Sequence, residues 1–434
     1  MNKSVWSDGV KLPRFAALKG DIKTEVLIIG GGLCGILCAY FLEKAGVDYV
    51  LVEGSRIASG ITRNTTAKIT SQHGVIYSKI LRTAGHEMAQ MYLNANQTAL
   101  AEYKKLCADI KCDFEEICAY TYSISDRKKI EDEVKAVNNL GFKAKFVEKT
   151  ELPFNLKGAV CFPEQAQFNP LKFIAGISKE LKIYEDSFVR DITPTTAITK
   201  NGKISAKKII VATHFPFINK HGSYFLKLYQ HRSYVIAYKN IDKLEGMYVD
   251  ENKKGMSFRR YGDYVLLGGG GHRTGKTGGC WQEIENFAAT YYPDAKEVYK
   301  WATQDCMSLD QIPYIGKYSA STPDLYVACG FNKWGVTSSM VAAQILCDMV
   351  LDRKNKFEYV FSPQRSIFKP QLLVNGFEAA LNILTPSVKR CPHLGCALKW
   401  NKAEHTWDCP CHGSRFEAEG KLIDNPATGD ANIK

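Results

Sequence analysis

Apolar and polar positions divide the N-terminal fifty residues into a strand, a helix and a second strand. The apolar run Thr24–Ile29 is rich in β-branched residues, as a buried parallel strand is. It leads into Gly30–Gly35 and then into Ile36–Ala45, whose apolar spacing predicts a helix that ends at Gly46. Asp48–Glu53 reads as the next strand. The pattern therefore predicts a β-α-β unit with parallel strands.

The same reading predicts further elements downstream. Asp324–Gly330 is a strand, and it leads through Phe331–Thr337 into an apolar helix that ends near Leu351. Ser233–Tyr238 and Asp263–Gly268 alternate as strands do. Residues 367–384 have helical character with only two charged residues, and Thr385-Pro386 ends the segment. A helix this apolar is expected to pack on the domain that precedes it.

Composition indicates a folded chain of more than one domain. The 434 residues are 45% hydrophobic and 24% charged, which suits globular domains and not disorder. The net charge of +12 is spread out, with no Lys/Arg run longer than two. It predicts a solvated basic surface, or attraction of anionic substrates or an acidic redox partner. No nucleic-acid motif is present.

Neither a secretion signal nor a membrane span is predicted. The first twenty residues contain no apolar stretch of the kind that signal peptides need. The longest uncharged stretch, Val26–Leu42, is interrupted by four glycines. A cytoplasmic location is therefore expected, with most of the 14 cysteines as free, buried thiols.

The glycines of the first β-α-β unit form a dinucleotide-binding fingerprint. Gly30 permits a tight turn, Gly32 lets a pyrophosphate approach the backbone, and Gly35 allows close packing of helix and strand. The N-terminus of the helix stabilises phosphate charge, and Glu53 is placed to accept the ribose hydroxyls. No second fingerprint exists, because the Gly268–Gly271 run has Arg273 at its sixth position. One dinucleotide is therefore predicted.

Two cysteine–histidine pairs near the C-terminus predict a metal centre. Cys391 and His393 are separated by one residue, and Cys409 and His412 by two. Two thiolates and two imidazoles can bind a [2Fe–2S] cluster. The alternative is a zinc site, since zinc takes the same ligands.

The segment from about 386 to 434 resembles the Rieske family, whose two ligand loops match CPHLGC at 391–396 and CPCHGS at 409–414. The resemblance implies that the two cysteines bind one iron and the two histidines the other. It also implies a Cys396–Cys411 disulfide that clasps the loops, and a small all-β domain. Ser414 is retained, but Phe416 stands where high-potential members have tyrosine. Fewer hydrogen bonds to sulfur predict a lowered reduction potential within the family range of roughly −150 to +300 mV.

Most of the remaining chain resembles the D-amino-acid oxidase/glycine oxidase/sarcosine oxidase family. The matching segments, besides the fingerprint, are 59–68, 209–213, 310–316 and 330–337. The resemblance implies FAD as cofactor and an α/β fold, in which a discontinuous Rossmann-type domain is joined to an antiparallel substrate sheet. The FAD-binding residues that it implies are Gly30, Gly32, Leu33, Cys34, Gly35, Glu53, Gly60, Thr62, Thr65, Thr66, Ala67, Val189, Ala212, Thr213, Gly330, Gly335, Val336 and Thr337.

Domain boundaries follow from the two resemblances. The oxidoreductase domain is expected at 1–355, with a FAD subdomain at about 1–80, 155–215 and 310–355 and a substrate subdomain at about 81–154 and 216–309. Residues 356–385 are expected to form a linker helix, and 386–434 the Rieske domain.

The family resemblance implies hydride transfer from a carbon beside an amine nitrogen to the flavin. Arg259 lies where relatives bind a substrate carboxylate, Lys68 in the segment that passes the flavin ring, and Trp334 where it could cover the flavin. Each residue has an alternative interpretation. Arg259 could lie at an exposed strand edge, Lys68 could be a salt-bridged surface lysine, and Trp334 could pack within its loop.

The fused cluster changes the expected fate of the electrons. It predicts a dehydrogenase for an amino acid or secondary amine that passes single electrons through the cluster to an external acceptor protein. A reductase that runs in the opposite direction uses the same parts. A non-enzymatic electron-transfer or redox-sensing protein is the third reading.

Overall fold

The computed structural model describes residues 3–252 and 254–433. Within them, a 3₁₀ turn at Val5–Ser7 precedes helices that run, in chain order, α1 Leu33–Lys44, α2 Ile61–Asn64, α3 Ile76–Asp109, α4 Arg127–Asn139, α5 Pro170–Ile177, α6 Tyr224–Lys227, α7 Cys280–Tyr291, α8 Gly335–Val350, α9 Glu358–Phe361 and α10 Pro370–Leu384. The strands are β1 Ile22–Ile29, β2 Tyr49–Val52, β3 Lys68–Ile69, β4 Glu115–Ser123, β5 Lys145–Val147, β6 Gly158–Gln167, β7 Ile183–Tyr184, β8 Val189–Thr193, β9 Thr196–Thr199, β10 Lys203–Val211, β11 Leu228–Lys239, β12 Gly246–Asp250, β13 Ser257–Tyr261, β14 Tyr264–Arg273, β15 Lys296–Ser308, β16 Tyr314–Lys317, β17 Leu325–Cys329, β18 Lys399–Asn401, β19 Thr406–Asp408, β20 Arg415–Phe416 and β21 Leu422–Asp424.

The first sheet contains the predicted β-α-β unit, which the structure confirms. Its central strands β17, β10, β1, β2 and β7 are parallel, and β16 pairs antiparallel at one edge. Successive residues of β1 enter different cores, because Val26 and Ile28 belong to one buried cluster and Leu27 and Ile29 to another. Both faces of the sheet are therefore covered, which explains the uninterrupted apolar sequence of this strand.

The second sheet has nine strands in the order β15-β11-β14-β13-β12-β4-β6-β3, with β5 added to β6. Its pairs are antiparallel except for β12 with β4, which run parallel, so the predicted antiparallel sheet contains one parallel step. Strand β6 also lies here, although 155–215 is expected in the FAD subdomain. The domain boundaries as a whole stay a prediction.

The C-terminal unit is a small antiparallel sheet, β18-β19-β20-β21, as predicted for the all-β segment. It packs on β11 and β14 of the second sheet through a buried ionic network. Arg232 of β11 donates from Nε to Glu404 Oε1 at 2.9 Å, and Arg415 donates from Nη2 to Glu404 Oε2 at 2.9 Å. The hydroxyl of Tyr234 also donates to Glu404. The Glu404 carboxylate is thus one of the groups that join the unit to the rest of the chain.

The linker helix forms, but its apolar side chains do not pack on the oxidoreductase domain as expected. Helix α10 covers Pro370–Leu384, and its buried residues are Asn375 and Asn382. Leu373 and Phe377 are exposed instead. The helix is oriented by hydrogen bonds from its asparagines, which outweigh the apolar composition of the segment.

No helix within 3–252 and 254–433 has both the length and the apolar character that a membrane span requires.

The ionic network at Glu404 predicts a pH-dependent stability. Burial by itself raises the pKa of Glu404, but Arg232 and Arg415 outweigh it and lower the pKa to about 2. An ordinary glutamate titrates near 4.3, so ionised Glu404 contributes about 3 kcal/mol at neutral pH. Because the folded pKa is depressed, this contribution is lost as the pH falls from about 4.5 toward 2.

We therefore expect Glu404→Gln to lower the free energy of unfolding of the C-terminal unit by about 3 kcal/mol at neutral pH. The difference from the wild type should shrink as the pH falls below about 4.5. Urea unfolding followed at several pH values measures it, with Glu419→Gln, at an exposed position of the same unit, as control. A difference that does not change with pH would contradict the assignment.

Candidate functional site

A cavity of about 1820 Å³ runs along the carboxyl ends of β1, β2 and β10 and reaches the second sheet and the C-terminal unit. Ligands bind in this position in open α/β sheets. Its size suits a dinucleotide together with a small substrate. The cavity is therefore the candidate site for the predicted FAD.

Two of the three fingerprint glycines occupy positions that require glycine, and the third faces open space. At Gly30, which has φ +111°, a Cβ atom would lie 2.6 Å from the carbonyl oxygen of Ala212. At Gly35 it would lie 1.9 Å from the carbonyl oxygen of Gly30. At Gly32 the only protein atom near a Cβ is Thr62 Oγ1 at 3.4 Å, so the space there opens into the cavity. The first two serve packing, and the third leaves room for a pyrophosphate.

Glu53 is held in place by the backbone around it. Its Oε2 accepts from the Gly31 N–H at 2.7 Å, and its Oε1 accepts from the Ser55 N–H at 2.9 Å. Burial raises the pKa of Glu53, and the two N–H groups oppose that shift. A carboxylate fixed at the end of β2 fits the predicted ribose contact.

Helix N-termini supply two further features of the cavity wall. The twelve-residue α1 begins at Leu33 without a side-chain cap, and the Leu33 N–H donates to Thr62 Oγ1 at 3.0 Å. The sixteen-residue α8 begins at Gly335, also without a side-chain cap. Two helix N-termini in the cavity wall fit the predicted phosphate and flavin contacts, although the Leu33 N–H is already bonded to Thr62.

The cavity brings together most of the predicted FAD-binding residues, namely Gly30, Gly32, Leu33, Cys34, Glu53, Gly60, Thr62, Thr65, Thr66, Val189, Ala212, Thr213, Gly335 and Val336. Gly35, Ala67, Gly330 and Thr337 do not line it. The hydroxyl of Thr337 is used within the protein, because it accepts from the Thr70 N–H and donates to the Thr70 carbonyl.

Arg259 does not line the cavity, so its placement departs from the predicted carboxylate-binding role. The side chain is fully buried and donates from Nη1 to the carbonyl oxygens of Thr66 and Ala67. Trp6 covers the guanidinium at 5.1 Å. Burial lowers the pKa of Arg259 to about 9. Arg259 therefore positions the 66–68 segment from behind, and Arg260 pairs with Glu115.

Lys68 and Trp334 both line the cavity, and their roles at the flavin stay a prediction. Burial, and then repulsion by Arg259, lower the pKa of Lys68 to about 7. Its ammonium donates to Thr66 Oγ1 at 3.2 Å, and no carboxylate lies within 4 Å in the described chain. Trp334 stacks on His73 at 4.9 Å between ring centroids. Burial lowers the pKa of His73 to about 3, which keeps this imidazole neutral.

Sequence reasoning missed a polar group on the opposite wall. Lys333 Nζ donates to Ser233 Oγ at 2.7 Å and to Asp305 Oδ2 at 3.0 Å, and all three residues line the cavity. The three positions are up to a hundred residues apart in sequence. Their only signal is that Lys333 lies in the glycine-bounded loop before α8.

The four predicted cluster ligands form two close pairs, one of cysteines and one of histidines. The Cys391 and Cys409 thiols hydrogen-bond to each other, which lowers the pKa of Cys391 and raises that of Cys409. The rings of His393 and His412 lie 4.9 Å apart. The Nδ1 atoms of both rings are buried without a hydrogen-bond partner. Two unsatisfied imidazole nitrogens beside two thiols fit a group with metal ions.

The remaining features of the cluster loops agree with the prediction. Cys396 and Cys411 form the disulfide, so they are not free to act as zinc ligands. Burial lowers the pKa of His393 to about 4 and that of His412 to about 3, which leaves both imidazoles in the neutral form that binds metals.

The second cluster loop is bound to the oxidoreductase domain through its own backbone. Arg273 donates to the carbonyl oxygens of residues 410 and 411 at 3.1 and 3.2 Å. Gln230 donates to that of residue 412 at 3.2 Å, and Gln304 to that of residue 413 at 2.9 Å. Four successive carbonyl groups are therefore satisfied by three side chains of the second sheet.

The first cluster loop, Asn425 and the ligand His412 also contact the oxidoreductase domain. His393 Nε2 lies 2.9 Å from Asn219 Oδ1. The Asn425 side chain donates to the carbonyl oxygens of Thr213 and Phe215 at 2.8 and 2.7 Å. The ring of Phe215 packs edge-on against that of His412.

Two protein-family models match the chain. The model of FAD dependent oxidoreductases matches residues 25–349, and that of the Rieske [2Fe-2S] domain matches residues 382–433. The second match selects the [2Fe–2S] cluster over zinc for the Cys₂His₂ set.

Known relatives agree with the Rieske match. The Rieske 2Fe-2S iron-sulfur protein YhfW of Bacillus subtilis (strain 168) is 33% identical over 98% of this chain and 96% of its own length. The cytochrome b6-f complex iron-sulfur subunit of Arabidopsis thaliana is 54% identical over 37 residues, 8% of this chain and 16% of that protein.

Solved structures agree on the fold. Glycine oxidase from Geobacillus kaustophilus superposes with a TM-score of 0.66 at 19% identity, covering 80% of this chain and 99% of that one. L-proline dehydrogenase from P. horikoshii gives 0.67 at 17% identity, covering 80% and 98%.

The surroundings of the cluster sulfurs predict opposite effects of two substitutions. The Cys409 thiol, and to a lesser degree the Ser414 hydroxyl, lower the pKa of the Cys391 thiol, and Phe416 is buried in the same apolar cluster as Cys391. One hydrogen bond worth about 1 kcal/mol corresponds to about 40 mV for one electron. We expect Ser414→Ala to lower the reduction potential by about this amount and Phe416→Tyr to raise it.

Redox titration followed by electron paramagnetic resonance measures both shifts. Phe416→Leu is the matched control, because it changes the packing and adds no hydroxyl. A rise in Phe416→Leu equal to that in Phe416→Tyr would contradict the hydrogen-bond explanation.

Proposed function

This chain belongs to the family of FAD dependent oxidoreductases, and from that premise we propose that it is a dehydrogenase of amino acids or secondary amines. Its cofactors are FAD and the [2Fe–2S] cluster of its Rieske domain. When bound, FAD takes a hydride from the carbon of a C–N bond, and the cluster passes the two electrons singly to an external acceptor protein.

One observation carries the proposal, namely that residues 212–219 touch both sites. Ala212 and Thr213 line the cavity. Phe215 contacts the ring of His412, and Asn219 contacts His393. Two residues of extended chain span at most about 7 Å, so the wall of the FAD cavity and a cluster ligand are close neighbours. This proximity supports electron transfer within the chain.

His214 provides a second link between the sites. It adopts φ +66°, a conformation that glycine adopts more readily, and its ring lines the cavity. His214 Nε2 lies 3.1 Å from Gln230 Oε1, while Gln230 Nε2 donates to the backbone of His412. A continuous set of hydrogen bonds therefore joins the cavity to the second cluster loop.

Lys68 supports an amino acid as substrate. It is a cation in the cavity wall with no acidic partner within 4 Å among the described residues. A substrate carboxylate would supply that partner, and Arg259 holds the backbone from which Lys68 projects. The neutral stack of His73 and Trp334 offers an apolar surface for the substrate carbon chain.

The opposite direction, in which the cluster receives electrons and the flavin reduces a substrate, would use the same contacts. The dehydrogenase is preferred because glycine oxidase and L-proline dehydrogenase share the fold at TM-scores of 0.66 and 0.67. The unpaired Lys68 favours an enzyme over a non-enzymatic electron carrier. A cytoplasmic location stays a prediction.

Lys68 predicts a pH dependence of carboxylate binding. Since its pKa is lowered to about 7, the ammonium is lost as the pH rises through that value. We expect a carboxylate that cannot be oxidised, such as acetate, to bind more weakly above about pH 7 in the wild type. Lys68→Met should weaken binding about 10- to 100-fold at lower pH, the loss of one charged hydrogen bond.

Perturbation of the flavin absorbance spectrum measures the dissociation constant. Lys68→Arg is the matched control, because it stays charged and should bind acetate across the whole pH range. An unchanged pH profile in Lys68→Met would rule out Lys68 as the anion-binding group.

The internal relay is tested by anaerobic reduction with a panel of amino acids and secondary amines. We expect flavin bleaching by a panel member, followed by cluster bleaching in the wild type. His412→Ala should lose the cluster, retain FAD and still bleach its flavin, with slower reduction of an external one-electron acceptor. His405→Asn, at a non-ligand histidine of the same unit with φ +54°, is the control. A wild-type cluster that stays oxidised beside reduced flavin would refute the relay.

A further inference from the structure

Helix α10 presents its apolar side chains to solvent. Its exposed residues include Leu373, Phe377 and Leu384, at 77%, 68% and 79% exposure. Phe368 before the helix and Val388 after it are exposed by 86% and 82%. We call these five residues the apolar face. Single exposed apolar residues are ordinary, but a contiguous set on one helix marks an interaction surface.

Polar contacts fix the opposite side of the helix. Asn375 donates to the Leu226 carbonyl at 3.2 Å and accepts from Arg273 at 3.0 Å. Glu378 pairs with Lys276 at 2.8 Å. The carbonyl of Asn382 accepts from the Ala397 N–H at 2.9 Å. Rotating the helix to bury the apolar face would leave these groups unsatisfied, so the outward orientation is the stable one.

The charges around the apolar face are basic. Lys369 precedes the helix, and Lys389 and Arg390 follow Val388. The one acid of the helix, Glu378, is neutralised by Lys276 on the protein side. The chain as a whole carries a net charge of +12. An apolar helix face flanked by lysine and arginine is the combination that binds the interface of anionic bilayers.

A second copy of the chain is a poorer occupant. An antiparallel pairing of two α10 helices would bring Lys369 of one copy toward Lys389 and Arg390 of the other. A parallel pairing would bring each basic residue toward its equivalent. Both arrangements place like charges together without an opposing acid, because Glu378 is engaged.

The apolar face continues to the cluster. Arg390 donates from Nη1 to the Gly395 carbonyl at 2.7 Å and to the Ile383 carbonyl at 3.1 Å, which ties the end of α10 to the first cluster loop. Leu394, next to the ligand His393, is 39% exposed. The surface from Phe368 to Leu394 therefore joins α10 to the rim of the cluster.

We propose that this surface binds the interface of an anionic phospholipid bilayer. The apolar face enters the boundary between headgroups and acyl chains, while the positive charges of Lys369, Lys389 and Arg390 at its two ends attract the anionic lipid surface. The contact is peripheral, and it brings the cluster side of the molecule to the membrane. It does not depend on the electron transfer proposed above.

Flotation with lipid vesicles tests the proposal on the purified holoprotein. We expect the wild type to float with vesicles that contain phosphatidylglycerol and much less with phosphatidylcholine alone. High salt should weaken the binding. Phe377→Glu and Leu373→Glu should each reduce the affinity for vesicles about tenfold or more. Each removes an apolar side chain that the bilayer would bury and adds a negative charge that the anionic lipids repel. FAD and iron content should stay unchanged in both variants.

Ile124→Glu is the matched control, since Ile124 is 54% exposed and distant in sequence from α10. It should bind vesicles as the wild type does. Absence of wild-type binding, or an equal loss in Ile124→Glu, would overturn the proposal. So would a wild-type dimer in sedimentation equilibrium that Phe377→Glu converts to monomer, because a second copy would then cover the face.

Discussion

The relative position of the two prosthetic sites depends on one set of hydrogen bonds, from Gln230, Arg273 and Gln304 to the carbonyl groups of 410–413. A buried carbonyl without a donor costs about 1–3 kcal/mol, so four of them in succession permit few alternative dockings. Two glycines allow the second cluster loop to lie this close to the second sheet. A Cβ at Gly275 would lie 2.7 Å from the Pro410 nitrogen, and one at Gly413 would lie 2.5 Å from Gln230 Cβ. The second cluster loop is thereby held against the second sheet.

The same contacts explain the orientation of α10. Arg273 bonds the second cluster loop with Nε and Nη2 and Asn375 with Nη1, so one guanidinium orients both the cluster and the helix. Burial lowers the pKa of Arg273, with Glu378 opposing the shift. The apolar residues of α10 are exposed because its polar residues hydrogen-bond to the protein on the opposite side of the helix. The free energy of those hydrogen bonds outweighs the gain from burying the apolar residues.

Sequence predicts those parts of the molecule that depend on neighbouring residues. The fingerprint Gly30–Gly35, the strand at 24–29 and the ligands at 391–393 and 409–412 are short motifs whose chemistry is local, and each folds as expected. A local pattern does not predict which residue, far away in sequence, a side chain will contact. Arg259 lies on β13, a strand that was not predicted, and its guanidinium binds the backbone of residues 66 and 67, nearly two hundred residues earlier.

Contacts between the C-terminal unit and the rest of the chain are the least predictable, because no local sequence pattern indicates them. Nothing near Asn219 marks it as the partner of His393, and nothing in β11 distinguishes Gln230 from an ordinary strand glutamine. Both belong to the surface that the C-terminal unit covers. The cytochrome b6-f complex iron-sulfur subunit of Arabidopsis thaliana matches this chain over only 37 residues. A match of that length is too short to include both the cluster segment and the side chains of the second sheet that hold the cluster loop, such as Gln230 and Gln304. The electron transfer that we propose depends on this surface, because a cluster that could not stay beside the FAD cavity would have no electron source within the chain.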